Sequence, residues 1–141
     1  MKRIIFTCLL LLSALPVFAQ STLSPEEEAK QLQEGIDKEV DRLTQLLDLA
    51  DWQVFYVDST LSYNIPAMRA EHKALQAAKV SNADLYYLTS DKWQEATDVQ
   101  YRKIFNDKQW ERYLKQGGAK EKKARDKRAA KAKAAAEKTK K

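Results

Sequence analysis

Apolar residues spaced three or four apart are the feature that most constrains how this chain can fold. The spacing holds at ten successive positions: Ala29, Leu32, Ile36, Val40, Leu43, Leu47, Ala50, Val54, Val57 and Leu61. It predicts one helical face that runs from about Pro25 to Tyr63. Such a stripe is covered when the chain folds back as a hairpin, or when it pairs with a second subunit as in a coiled-coil dimer. No segment alternates with the period of a strand, so the predicted fold is all-α, a helical hairpin or small bundle.

Local signals divide the chain into helices. Ser24 and Glu27 form a capping box around Pro25, which predicts a helix start. A proline disfavours helical geometry in the residue before it, so Pro66 should interrupt this helix and begin a second one that ends near Lys79. The remaining predicted elements are a connector at 80–84, a third helix through Ile104, and a short helix ending near Gln116 with Gly117 as its left-handed cap.

The first 19 residues have the pattern of a secretory signal peptide. Lys2 and Arg3 precede an apolar run, Ile4–Leu15, and a short stretch with small residues ends at Ala19. The run has 12 residues, whereas a helix needs about 20 to span a bilayer. We therefore expect cleavage after Ala19 and export to the periplasm or the exterior. Cys8 would leave with the signal, so the mature chain would contain no cysteine.

Charge divides the mature chain into two parts. Residues 20–116 contain 12 basic and 17 acidic side chains, a net charge of −5, and residues 117–141 contain 11 basic and 3 acidic side chains, a net charge of +8. All tryptophans and tyrosines precede the pair Gly117-Gly118. The sequence therefore predicts a helical domain over 20–116, followed by a solvated basic tail rich in lysine and alanine over 117–141.

Several enzyme classes are excluded by composition. One histidine and one cysteine cannot supply a Cys₂His₂ zinc site, a disulfide framework or a Cys/His catalytic pair within one mature subunit. Met68 and His72 lie four apart on a predicted helix, but two ligands are too few for a metal site. Carboxylate pairs such as Asp37/Asp41 are typical of a solvated helix face. We expect a protein that is not an enzyme and has no cofactor, no catalytic residue and no metal site.

Two five-residue segments share a pattern that is typical of a helix start. They are Leu49-Ala50-Asp51-Trp52-Gln53 and Phe105-Asn106-Asp107-Lys108-Gln109, each with an apolar residue first and glutamine fifth. In the second, Asn106 caps the helix, Gln109 reaches back to the amide of Asn106, and Phe105 packs on Trp110. Alanine cannot cap, so two alternatives stay open at Ala50: the first helix continues through it, or it breaks with Asp48 as the local substitute.

The placement of these segments resembles the LTxxQ-motif family of periplasmic proteins, the Spy- and CpxP-like chaperones and stress-accessory proteins. Leu49, Gln53 and Gln109 match the motif, whereas Ala50, Phe105 and Asn106 depart from it. The resemblance covers roughly Leu43–Gln116. It implies an all-helical hairpin and a dimer with a concave surface that holds unfolded clients without ATP, or a partner of an envelope stress sensor.

Aromatic residues are more numerous than one core needs. The mature chain has eleven, and Trp52 and Tyr56 lie four apart, off the Val54/Val57 stripe. Tyr86 and Tyr87 are adjacent, so they cannot both face one core. Two interpretations stay open: the aromatic residues pack in the core, or some of them form an exposed surface that binds clients or a partner chain. The candidate surface residues are Trp52, Tyr56, Tyr86 and Tyr87.

Two hypotheses follow for function. The first is an exported binding module resembling the LTxxQ chaperones, with unfolded envelope proteins or a stress-sensor domain as partners. The second is a structural protein that forms a homodimer and is tethered to an anionic envelope surface by its basic tail. A basic tail of this kind also binds nucleic acid, but export makes nucleic acid an unexpected partner. The remaining alternative is a tail that only keeps the protein soluble.

Overall fold

Five helices make up the fold in the computed structural model, which describes residues 24–139. They are α1 (Pro25–Leu47), α2 (Asp51–Ala77), α3 (Ala83–Ile104), α4 (Asp107–Tyr113) and α5 (Ala119–Thr139), with a kinked turn at Leu114–Gly118. α2 packs on both α1 and α3, α4 packs on α1, and α5 packs on α3. The prediction of an all-α small bundle is confirmed. The predicted signal peptide, Met1–Ala19, lies outside the described residues.

The core is built mainly from the predicted apolar stripe. Its buried members are Ile36, Val40, Leu43, Leu47, Leu49, Val57, Leu61, Tyr101, Ile104 and Phe105. Six of these residues belong to the stripe, and they come from both α1 and α2. The stripe is thus covered within one chain, by the hairpin alternative. Among residues 24–139, no helix has the length and apolar character needed to cross a membrane.

The single helix expected from Pro25 to Tyr63 is broken at Asp48-Leu49-Ala50. Asp48 ends α1 with φ 53° and ψ 59°, in the left-handed region, which aspartate enters more readily than most residues. Ala50 is extended, with φ −73° and ψ 156°, and α2 begins at the next residue. The continuous helix was a wrong alternative, because the break lets both halves of the stripe bury against each other.

The interruption expected at Pro66 does not occur either, since α2 runs from Asp51 to Ala77 with Pro66 inside it. A proline removes one backbone N–H and crowds the carbonyl four residues earlier. Packing on α3 holds the helix on both sides of that defect. Before it, buried Asn64 donates from Nδ2 to Oγ1 of Thr97 (2.8 Å), and after it, Nε2 of His72 lies 3.2 Å from Oγ of Ser90. Tertiary contacts therefore outweigh the local preference.

Two glycines shape the turn between α4 and α5. Gly117 has φ 118°, a value that favours glycine. A Cβ on Gly118 would lie 3.0 Å from Cε1 and 3.2 Å from the carbonyl oxygen of Tyr113. The first glycine thus provides the backbone conformation that redirects the chain, and the second provides the room for the Tyr113 ring.

Candidate functional site

Gln53 and Gln109 form a reciprocal pair in the interior of the bundle. Nε2 of Gln53 donates to Oε1 of Gln109 (2.8 Å), and Nε2 of Gln109 donates to Oε1 of Gln53 (3.0 Å). The side chains lie 56 residues apart in sequence and are only 5% and 7% exposed. The fifth residues of the two motif segments therefore meet in the folded chain.

Each glutamine also caps the start of the helix that contains it. Oε1 of Gln53 accepts from the backbone N–H of Ala50 (3.0 Å), and Oε1 of Gln109 accepts from that of Asn106 (3.0 Å). Oδ1 of Asn106 accepts in turn from the N–H of Gln109 (2.9 Å), which completes a capping box. Ala50 has no side-chain acceptor, so α2 keeps only the glutamine half of the box. α2 thus begins directly after an alanine N-cap, without a capping hydrogen bond from the Asp48 side chain.

The remaining amide hydrogens of the pair point to helix ends. Nε2 of Gln53 also donates to the carbonyl oxygen of Ile104, the last residue of α3 (2.8 Å). Nε2 of Gln109 donates to those of Leu47 and Asp48, at the end of α1 (3.3 and 3.4 Å). Carbonyls at a helix end lack partners within the helix. Each glutamine therefore serves the helix end that precedes the other motif copy. The only sequence signal for this pairing is that the pattern occurs twice.

The first residues of the two motif segments both enter the core. Leu49 is 9% exposed and Phe105 is 3% exposed. The Phe105 ring lies 4.9 Å from that of Tyr101 and 6.0 Å from that of Tyr113, between centroids. Trp110 packs against this same core. Apolar residues directly before the cap thus fix the direction in which α2 and α4 leave the paired glutamines.

Three adjacent aromatic side chains near the start of α2 remain in solvent, and we call them the aromatic surface: Trp52, Phe55 and Tyr56. They are 56%, 66% and 53% exposed. The Tyr56 ring contacts both others edge to face, with centroids 6.3 Å from Trp52 and 5.5 Å from Phe55. Trp52 and Tyr56 therefore lie together on the exposed surface, and Phe55, which was not among the predicted surface residues, joins them.

Tyr86 and Tyr87 lie near the other end of the α2–α3 pair. Tyr86 is half-buried, its Oη donates to the carbonyl oxygen of Val80 (3.0 Å), and its ring centroid is 5.7 Å from that of His72. Tyr87 is 57% exposed, with the guanidinium of Arg128 5.8 Å from its ring centroid. The four expected residues thus do not form one surface: Tyr86 packs between helices, and Tyr87 lies beside α5.

The basic segment after Gly117 is not wholly solvated, which corrects the prediction of a solvated tail. Arg125 is 5% exposed and donates to Oε2 of Glu95 (3.1 Å) and to Oδ2 of buried Asp98. Arg128 donates through Nε and a terminal nitrogen to the two carboxylate oxygens of Asp91, both at 2.6 Å. The acidic side chains of α3 recur with helical spacing, so they match the arginines of an antiparallel α5.

Tyr113 completes this network from α4. Its Oη donates to Oδ1 of Asp98 (2.7 Å), so Asp98 holds both Tyr113 and Arg125. Burial, reinforced by the hydrogen bond to Asp98, raises the pKa of Tyr113 well above its ordinary value. Burial does the same to the pKa of Tyr101. Both phenols therefore stay neutral at any physiological pH, and Tyr113 remains a hydrogen-bond donor.

A cavity of about 870 Å³ lies under α5, between it and the α2–α3 pair. Leu61, Ile65 and Met68 line it from α2. His72 does not line this cavity, and its Nε2 lies 3.2 Å from both the carbonyl oxygen of Tyr86 and Oγ of Ser90. In the part of the chain that the structure describes, no three His, Cys, Asp or Glu side chains are grouped to hold a metal ion.

Comparison with known proteins gives no match: no protein-family model, no curated protein and no solved structure is similar to the chain. The geometry of residues 24–139 therefore carries the functional proposal. Its main elements are the paired glutamines, the aromatic surface on α2 and the docked basic helix.

Proposed function

We propose that the chain is an exported, non-enzymatic helical binding protein that holds non-native segments of other envelope proteins on its aromatic surface. The observation that carries the proposal is the exposure of Trp52, Phe55 and Tyr56, each more than half open to solvent. Large contiguous apolar patches on soluble proteins mark interaction sites. Aromatic rings combine a large contact area with few rotatable bonds, so they bind at low cost in conformational entropy.

The position of the aromatic surface suits loose binding of many sequences. It is open to solvent, because the rings project from one face of α2, and none of the three side chains lines the cavity beneath α5. The binding free energy of such contacts comes mainly from the apolar surface area that they bury, so they discriminate little between apolar segments. The buried pair Gln53–Gln109 anchors the first turn of α2, which is the turn that carries Trp52. The domain of an envelope stress sensor is the alternative partner for the same surface.

An aggregation assay tests this proposal. The mature chain is mixed with a chemically denatured enzyme that aggregates on dilution, and light scattering is followed. The double variant W52A/Y56A should lose most of the protection. The matched control Y63A/Y87A removes two other exposed aromatics, which are 70% and 57% exposed, and it should protect like wild type. Equal protection by W52A/Y56A and wild type would refute the proposal. Phe55→Ser, a change at a 66% exposed position, repeats the test if the double variant fails to fold.

Export is part of the proposal and rests on Lys2, Arg3 and the junction after Ala19. A protein secreted by this route should begin at Gln20. Intact-mass measurement on the exported chain decides the matter. A species that retains Met1–Ala19 would contradict it.

A second candidate function is a tether to an anionic envelope surface, and the exposed lysines of α5 favour it. Arg125 and Arg128 are engaged with α3, but Lys120, Lys123 and Lys127 remain exposed. Vesicles containing anionic lipid should then sediment the full mature chain at low salt and release it at high salt. A chain ending at Arg128 keeps both arginine contacts and should bind more weakly, and one ending at Gln116 should not bind. Equal sedimentation of all three would exclude the tether.

A further inference from the structure

A shallow groove of about 480 Å³ lies between α1 and α2. We call it the acidic groove. Its apolar side chains are Val40, Val54 and Phe55, and its carboxylates are those of Asp37, Asp41, Asp51 and Asp58. Within residues 24–139, none of these four carboxylates lies within 4.0 Å of a lysine or arginine nitrogen. The acidic residues that α3 turns toward α5 are, in contrast, all paired with arginine.

The part of the sequence that follows Arg128 carries the opposite charge. The final ion pair between α5 and α3 in the described chain is Arg128–Asp91, and the helix continues to Thr139. We call residues 129–141 the cationic end. It contains Lys131, Lys133, Lys138, Lys140 and Lys141 against the single acid Glu137, and nearly all its other residues are alanine. Residues 133–138 are all exposed.

We propose that the cationic end of one molecule binds the acidic groove of a second copy. The charges are complementary: the cationic end carries five lysines and one glutamate, and the groove carries four carboxylates that have no lysine or arginine partner within residues 24–139. Alanine side chains are small enough for a helix to approach Val40, Val54 and Phe55 closely, while the lysine stems lie along the apolar groove and place their ammonium groups at its acidic rims. The contact is between molecules, because Arg125 and Arg128 hold α5 on α3 and the groove is formed by α1 and α2.

Such a contact joins two different surfaces, so it is head-to-tail. Two molecules joined by one such contact therefore still have one unoccupied groove and one unbound cationic end. Assembly then grows with concentration instead of stopping at a dimer, unless the rotation between copies closes a ring. The contact does not depend on the proposed binding of non-native segments. It does cover Phe55, so the two activities would compete for the groove side of the aromatic surface.

A complementation experiment on the mature chain tests the contact. One variant removes the donor charges by changing all five lysines of the cationic end to Gln. The other removes acceptor charges by D37N, D41N and D58N, and it keeps Asp51 because that residue begins α2. A control carries E34Q, D84N and E111Q, three exposed carboxylates elsewhere, and has the same change in net charge. Sedimentation velocity gives the average mass, and circular dichroism confirms that each variant is helical.

Wild type and control should associate at low ionic strength and dissociate as salt approaches about 0.5 M. Each variant alone should stay monomeric. An equimolar mixture of the two should associate, because one supplies an intact groove and the other an intact cationic end. The proposal is overturned if wild type stays monomeric at low salt up to about 0.1 mM, a concentration at which even weak contacts are populated. It is also overturned if either variant associates like wild type, or if the mixture stays monomeric.

Discussion

Nε2 of Gln53 donates to the carbonyl oxygen of Ile104 at 2.8 Å, so the start of α2 satisfies the end of α3. The two residues lie 51 positions apart, and no local rule of helix capping links them. Together with the reverse contact from Gln109 to the end of α1, this bond makes one buried pair responsible for two chain reversals. Loss of either glutamine should therefore weaken both chain reversals.

Gln53→Ala and Gln109→Ala should each lower the free energy of unfolding by about 2–4 kcal/mol, because each truncation leaves several buried backbone and amide groups without partners. The double variant should cost less than the sum, with a coupling energy of about 1–2 kcal/mol. Urea denaturation followed by circular dichroism measures all four proteins. Gln33→Ala, at an exposed residue whose side chain donates a hydrogen bond to Asp37, should change stability by less than about 0.5 kcal/mol. Additive losses would show that the two helix starts act separately.

Pro66→Ala should stabilise the chain. The alanine restores a backbone donor to the carbonyl of Ser62 inside α2 and removes the ring that crowds it, and the gain is about 1–3 kcal/mol after the larger entropy of the unfolded alanine chain is subtracted. The measurement is the midpoint of urea unfolding at constant slope. A loss of stability would mean that the proline conformation is required for the packing of α2 on α3.

Arg125→Ala should release α5 while the rest of the bundle stays folded. In this variant Asp98 would still accept the hydrogen bond from Tyr113 and would gain access to water. The loss of stabilising free energy therefore affects mainly the docking of residues 119–139. Hydrogen exchange resolved by mass spectrometry should show faster exchange in that segment, by about tenfold or more, with little change in α1 and α2. Lys127→Ala, at an exposed position on the same helix, is the control. Equal protection of α5 in both variants would show that Arg125 does not hold it.

Stability should fall at alkaline pH. The pKa of buried Tyr101 is raised in the folded state, whereas in the unfolded chain it is about 10. Below pH 10 both states are protonated and the stabilisation is fully present. As pH rises above 10 only the unfolded state releases its proton, so stability drops by up to about 1.4 kcal/mol per pH unit. Urea denaturation between pH 8 and about pH 11 tests this. Tyr101→Phe should make the loss of stability with pH less steep, and the loss that remains should come from Tyr113, whose pKa is raised as well. Tyr63→Phe, at a 70% exposed residue, is the control.

Periodicity was a good guide to the core and a poor guide to helix ends. Ile36, Val40, Leu43 and Leu47 are buried as the stripe predicts. The same spacing continues across Ala50. Each arm of the hairpin is apolar on the face that contacts the other arm, and the length of the connection happens to keep the two apolar patterns in phase. The break depends on Gln53 and on a partner 56 residues away, and such a contact leaves no trace in a helical period.

The candidate site was predicted only in part for similar reasons. The spacing of Trp52 and Tyr56 places them off the buried face, and the structure leaves both exposed. Tyr86 has the same sequence character, yet α2 supplies His72 to pack against it. The docking of α5 was also hidden, because a sequence rich in lysine and alanine gives no sign that two of its arginines face a stripe of carboxylates on α3.

Tyr113 and Arg125 both bond to Asp98, one from each side of the kinked turn. The number of residues between them is therefore fixed by geometry. Inserting or deleting one residue within α5 before Arg125 would rotate every later side chain by about 100° around the helix axis, which turns Arg125 and Arg128 away from α3 together. Variation in chain length should accordingly be tolerated after Arg128, but hardly at all between Gly118 and Arg125.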